Sequence, residues 1–213
     1  MRGPAPERVT IEGKDGIRLE ARWDRPARPR GSVVFCHPHP QHGGTMMAPL
    51  MHKVTTGLVG RGLSVLRFNF RGVGLSSGAW DGGLGEIDDV AATVCHARAE
   101  LPDEPLGVAG WSFGAATSLA WQAREKDSTS FAGIAPPVRT DLVERLPQPE
   151  ELAHARRLFI LGDRDQFVTV EDMTEYVDRA RGKLTVLNGS DHFFYFREER
   201  VAALMADHFV GEG

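Results

Sequence analysis

Residues 106–120 read LGVAGWSFGAATSLA, an apolar run that passes without a loop into small residues at helical spacing. Leu106 to Trp111 has the length and continuous apolarity of a strand buried on both faces, and Phe113 to Glu125 has the periodicity of a helix. Ser112 stands at the junction, between Gly110 and Gly114. A serine on so tight a strand-to-helix turn sits on strained backbone that lifts its hydroxyl above the sheet, and the glycines keep side chains out of the crossing. Ser112 is therefore the candidate nucleophile.

The same unit recurs along the chain. "SVVFC" (32–36), "LSVLRFNF" (63–70), "FAGIAP" (131–136), "RLFILG" (157–162) and "KLTVLNG" (183–189) read as further strands buried on both faces. Helical spacing falls at Thr45–Gly60, Glu86–Glu100, Val170–Ala180 and Glu198–Val210. Repeated βα units predict an α/β fold with an open, doubly wound, mostly parallel sheet, whose ligands gather at the carboxyl ends of the strands. Upstream, "RVTIEG" and "IRLEARWD" alternate apolar and polar residues around "KDG", which reads as a β-hairpin. Only residues 136–155, with two proline-containing breaks, leave room for an insertion. One domain over 1–213 with a small cap at 136–155 is expected.

Composition narrows the function classes. The chain has 213 residues, 41% hydrophobic and 25% charged, as in an ordinary globular protein. A net charge of -4 and the lack of any basic run along the sequence argue against a nucleic-acid partner. Cys36 and Cys95 both lie in apolar stretches, which suggests reduced core thiols in a cytoplasmic protein. The start "MRGPAPERVT" has no apolar signal core, and no window approaches the roughly 20 apolar residues of a membrane span.

A second match to the five-residue serine pattern, Gly74-Leu-Ser76-Ser-Gly78, is cut off from its strand by Arg71-Gly72-Val73 and runs into "AWDGGLGE", which cannot start a helix at once. It reads as a turn-rich loop, and Ser77 stands where a dinucleotide fingerprint needs its third glycine. A serine nucleophile needs a base, and the base a carboxylate to fix its tautomer. Of the histidines after Ser112, His154 lies in the polar 136–155 segment and His208 in the last helix. His192, in "LNGSDHFF", follows the final strand at the carboxyl edge. Asp163 and Asp165 end the strand "RLFILG", and one of them is expected to orient His192, with Asp165 preferred; Asp191 is too close in sequence to turn toward its neighbour.

Taken together, "FCHPHPQHGG", "FNFRGVGLSSG", "GWSFG", "LGDRDQFV" and "GSDHFF", each following a strand, resemble the α/β-hydrolase superfamily, in its small serine-esterase and dienelactone-hydrolase-like branch. The resemblance covers nearly the whole chain. It implies the α/β-hydrolase fold, an eight-stranded, mostly parallel sheet with an antiparallel second strand, flanked by helices and with a minimal cap. It implies Ser112, Asp165 and His192 as a triad, and favours Asp165 because the acid in such enzymes follows the strand-end glycine by three residues, as Asp165 follows Gly162. Dienelactone hydrolases themselves use cysteine, so their substrate does not carry over.

His37, His39 and His42 are close enough in sequence to suggest zinc, and similar runs bind zinc in metallo-β-lactamase-like hydrolases, but Gln41 stands where those carry aspartate. The competing reading is an oxyanion loop, because the first strand-to-helix connection of such hydrolases donates one backbone N–H and the residue after the nucleophile, Phe113, the other. Pro38 and Pro40 have no N–H, which leaves His39 as donor, with Gln41 behind it. Trp111, Phe167 and Phe193 are candidate substrate contacts or core. The expected activity is hydrolysis of a small-molecule acyl ester, short in its acyl chain, without a metal or other cofactor, at a membrane-independent site. A zinc hydrolase and a non-catalytic binding module of the same fold are the alternatives, and the sequence leaves the oligomeric state open.

Overall fold

A computed structural model of the chain describes residues 5–138 and 146–211. Eight strands, β1 (Glu7–Glu12), β2 (Arg18–Asp24), β3 (Gly31–Cys36), β4 (Leu63–Phe68), β5 (Leu106–Trp111), β6 (Ser130–Ile134), β7 (Arg157–Gly162) and β8 (Lys183–Leu187), form one sheet. Their order is β1-β2-β4-β3-β5-β6-β7-β8. β2 runs antiparallel to both neighbours, and every pairing from β4 to β8 is parallel. The helices are α1 (Pro49–Gly60), α2 (Gly85–Glu100), α3 (Phe113–Glu125), α4 (Val170–Arg179) and α5 (Glu198–Val210).

β3, β4 and β7 are buried at every position, because helices cover both faces of the sheet. The period of two along β3 divides its side chains: Val33 and Phe35 join the cluster that includes α1 and α5, Val34 and Cys36 the cluster that includes α2. Each such fully buried large side chain contributes about 1.5–3 kcal/mol of transfer free energy.

The departures from the sequence reading have local causes. α1 starts at Pro49 rather than Thr45 because a residue before proline is pushed out of the helical region; Ala48 accordingly sits at φ -52°, ψ 144°. β8 is apolar enough for a central strand but lies at the sheet edge, where only its last residue is buried. Cys95 is exposed on α2, whose period turns Val94 and Ala97 inward instead; Cys36 is buried, and burial pushes its thiol up to about 12. Ser76 is a staple between segments: its hydroxyl donates to the Asn69 carbonyl at 2.7 Å and accepts from the Glu20 amide at 2.9 Å. Of the expected cap at 136–155, residues 139–145 lie outside the described residues, and the described part forms one short 3-10 turn at Pro149–Glu151. Among the described residues no helix is long and apolar enough to cross a membrane.

The turn after β4 is tied to α2 by a buried ion pair. Arg71 donates Nη2 to Asp89 Oδ1 at 2.8 Å and its backbone N–H to Oδ2 at 2.9 Å, with side-chain exposures of 12% and 1%. Gly85 makes this possible, since a Cβ there would lie 2.0 Å from Arg71 Nη1. Asp89→Asn leaves the guanidinium only the exposed Asp81 carboxylate at 3.9 Å, and urea unfolding should show a loss of about 3 kcal/mol; a loss below about 1 kcal/mol would mean that solvent screens the pair.

Candidate active site

Ser112 lies at φ 52°, ψ -117°, a conformation rare for a residue with a Cβ. Neighbours on every side hold it there. Its N–H donates to the Ile134 carbonyl of β6 at 2.8 Å, and its carbonyl accepts from Ala115 and Ala116 in the first turn of α3. The two flanking glycines are sterically required: a Cβ on Gly110 would meet Ala115 N at 2.3 Å, and one on Gly114 would meet the carbonyls of Cys36 and His37 at 2.4 Å. The start of α3 therefore rests directly on the backbone that ends β3.

The loops after β7 and β8 bring an acid and a base to the same edge. His192 Nδ1 donates to Asp165 Oδ2 at 2.7 Å, and Asp165 Oδ1 accepts from the amides of Phe167 and Val168. The Asp165 side chain is fully buried and that of His192 nearly so. Asp163 does not reach the ring; it accepts from the Gly189 amide at 2.6 Å and so holds the turn before it. Asp191 accepts from the amides of Phe193 and Phe194, and Gly162 packs so closely on Ser190 that a Cβ would lie 2.2 Å from its carbonyl oxygen. His208 is remote, hydrogen-bonded to Ser130, and His154 is exposed.

The three clustered histidines do different things. Phe70 N–H donates to His37 Nε2 at 3.0 Å, so the proton sits on Nδ1, which donates to the Pro38 carbonyl at 2.6 Å. Both ring nitrogens are thus engaged. Burial first, and the neighbouring His39 in addition, push His37 down to about 4, so the ring is neutral. His39 stacks on His42 with centroids 4.4 Å apart and packs against Trp80 and Phe113; burial and His42 lower it. Among the described residues no three His, Cys, Asp or Glu side chains are placed to hold a metal ion.

No cis peptide occurs among the described residues, so the C=O and N–H of the Pro38–His39 peptide point in opposite directions. With the carbonyl taken by His37, the His39 N–H is directed away from that buried ring. Gly44 braces the same peptide, as a Cβ there would lie 2.1 Å from the Pro38 oxygen.

A cavity of about 520 Å³ joins these parts. His39, Ser112, Phe113 and His192 line it together with Trp111, Phe167, Phe193 and Tyr195, and no Asp, Glu, Lys or Arg is among its described lining residues. Trp111 is mostly core and donates its indole N–H to the His192 carbonyl at 3.2 Å, while Phe167 and Phe193 are half exposed at the rim, where Phe167 meets the His192 ring edge-on.

Residues 27–156 match the family described as serine aminopeptidase, S33. The chain belongs to the α/β-hydrolase superfamily, in that family. An α/β serine hydrolase homologue from Coxiella burnetii is 32% identical with a TM-score of 0.82, over 94% of this chain and 95% of that one. A Xanthomonas campestris α/β serine hydrolase without a lid is 28% identical with a TM-score of 0.79, over 99% and 95%. An uncharacterized protein of Rickettsia prowazekii is 29% identical over 95% of this chain and 88% of the relative.

In this hydrolase the sequence reading missed the supports behind the named residues. Gln166 Oε1 accepts from the His192 amide at 3.3 Å, the Trp111 indole holds the other side of the same residue, and His37 orients the Pro38–His39 peptide. Proximity of Gln166 to the two aspartates was the one available signal; the others depend on the packed geometry.

The neutral histidines make stability depend on pH. His37 and His208 are both pushed down to about 4, each chiefly by burial, against about 6.5 in an unfolded chain. Between those values the unfolded chain takes up protons that the folded chain refuses. Their contribution is therefore complete above about pH 6.5 and is lost as pH falls toward 4, with a slope approaching ~1.4 kcal/mol per pH unit for each ring. Urea titrations across this window should give wild type a steeper loss than His37→Gln by that one-ring slope; equal slopes would show that His37 is protonated in the fold.

Proposed function

We propose that the chain is a serine esterase for small, uncharged carboxylic esters, with Ser112, His192 and Asp165 as its triad. The observation that carries this reading is the 2.7 Å contact of His192 with Asp165 at a cavity that also receives a serine held at positive φ. With Nδ1 committed to Asp165, His192 Nε2 is the nitrogen that takes the Ser112 proton as Oγ attacks the ester carbonyl. The carbonyl oxygen becomes an oxyanion between the N–H groups of Phe113 and His39. Collapse of the tetrahedral intermediate breaks the C–O bond to the alcohol, which leaves with the proton from Nε2. Water, deprotonated by Nε2, then attacks the acyl-enzyme by the same route and frees the acid and Ser112.

The uncharged lining favours esters over the aminopeptidase activity in the family's description. An aminopeptidase must hold a substrate ammonium beside the scissile bond, which calls for a carboxylate. The described lining offers none, and Asp165 is buried and engaged with His192 and two amides. The small described cap, one short 3-10 turn, favours short acyl chains. Against the zinc reading stands His37, whose nitrogens are both occupied.

Hydrolysis of p-nitrophenyl acetate, butyrate and longer esters, with and without chelator, tests the proposal. Ser112→Ala should lose about 10³-fold or more in kcat while chelator has no effect. Activity that survives Ser112→Ala and dies with chelator would return the chemistry to the histidine loop, a preference for long chains would overturn the short-acyl assignment, and no turnover by wild type would favour a binding module. An amino-acid p-nitroanilide should remain uncleaved.

Gly44→Ala tests the oxyanion loop. The new methyl displaces the Pro38–His39 peptide, and since one misplaced oxyanion donor costs about 2.7–4 kcal/mol when lost outright, kcat should fall by roughly 10- to 100-fold with KM little changed. Unaltered kcat in the folded variant would remove His39 from the role.

A further inference from the structure

The amino edge of the sheet, opposite the edge that holds Ser112, carries a second cavity of about 610 Å³ between the starts of β7 and β8 and one face of α5. Arg156 and Arg157 reach it at the entry to β7, Arg181 and Lys183 at the entry to β8, and Arg200 from α5. Asp207 is the one carboxylate in its described lining, and His208 completes the titratable groups there. Five cationic residues thus line it beside one acidic residue, in a chain whose net charge is -4.

None of the five meets a carboxylate among the described residues. Arg157, 4% exposed, donates Nε to Gln122 Oε1 at 3.3 Å and Nη2 to the Ala153 carbonyl at 2.7 Å. Arg156 donates to the His208 carbonyl, and Arg181, Lys183 and Arg200 have no protein partner among the described residues. Arginines buried elsewhere with their charge intact are matched by a carboxylate, as Arg67 is by Asp24 and Arg71 by Asp89, whereas buried Arg157 meets only an amide oxygen and a carbonyl. Like charges lining one hollow are relieved by an anion from outside, and guanidinium forks match phosphate oxygens in particular.

We propose that this cavity binds a phosphate-bearing small molecule with two or more phosphate groups, held by Arg156, Arg181, Lys183 and Arg200. Several cations against one carboxylate call for more than a single negative charge. A hollow bounded by two strand starts and a helix accepts a small ligand, whereas a bilayer or a duplex would engage cations spread along an open face. His208 reports on occupancy. Burial, then Arg156 and Lys183, push its ring down to about 4, and a bound anion opposes the two cations and raises it.

Inorganic pyrophosphate is the probe, titrated calorimetrically into the whole protein at neutral pH and about 0.15 M salt, where long-range attraction is largely screened. Saturable one-to-one binding is expected, weakened about 10-fold or more in an Arg181→Ser, Lys183→Ser double variant of unchanged melting temperature. In parallel, the His208 ring resonances should titrate at higher pH with pyrophosphate than without it. Ester hydrolysis by the double variant should equal wild type, so the result is separate from any outcome at Ser112. Absence of saturable binding, equal binding in the double variant, or binding only to anionic vesicles would overturn the proposal.

Discussion

Two backbones approach as closely as atoms allow where α3 leaves β5 and touches the end of β3. Gly110 and Gly114 are the residues that permit it, and a single methyl at either would collide with main chain on the far side. Because β3 and β5 are also neighbours in the sheet, this contact sets the loop after β3 beside Ser112 without any side chain to mediate. The Phe113 and His39 amides consequently belong to backbone that is fixed by the sheet itself. His37, buried beneath them with both nitrogens occupied, completes the arrangement by fixing the plane of the Pro38–His39 peptide. In the proposed mechanism these amides are the oxyanion donors, and rigid positioning of fixed dipoles is what makes such donors effective at a developing charge.

Much of this was legible in the sequence because the signals were local. The limits of α3, α5, β5 and β7 follow from apolar runs and helical periods alone, and the strand-turn-helix context separated Ser112 from the equally well matched Ser76. The preference for Asp165 over Asp163 corresponds in the structure to two different hydrogen bonds, one to the ring and one to the turn that carries it. Local signals failed where the answer lay in a neighbour. Hydrophobicity cannot tell an edge strand from a central one, as β8 shows, and a cysteine between apolar residues on a helix can face outward, as Cys95 does. The histidine loop was the hardest case, since three identical side chains divide into one buried hydrogen-bonding post and a stacked pair.

Charge is likewise distributed in a way that no run of residues discloses. Arg156, Lys183 and Arg200 stand in three separate segments and are drawn together only when β7, β8 and α5 pack. The carboxyl edge has the opposite character, an aromatic cavity with no Asp, Glu, Lys or Arg in its described lining and with the Asp165 carboxylate hidden behind His192. The two edges of one sheet thus present different solvents to whatever approaches them, one close to an organic phase and one strongly cationic.

His192 is held along its whole length: the ring by Asp165, the amide by Gln166, the carbonyl by Trp111, and the turns on either side by Asp163 and Asp191. Its conformational entropy is therefore surrendered once, when the chain folds, and not again at each encounter with a ligand. A molecule entering the cavity meets an imidazole that needs no reorganisation, so nearly all of the ordering that binding there demands falls on the incoming molecule alone.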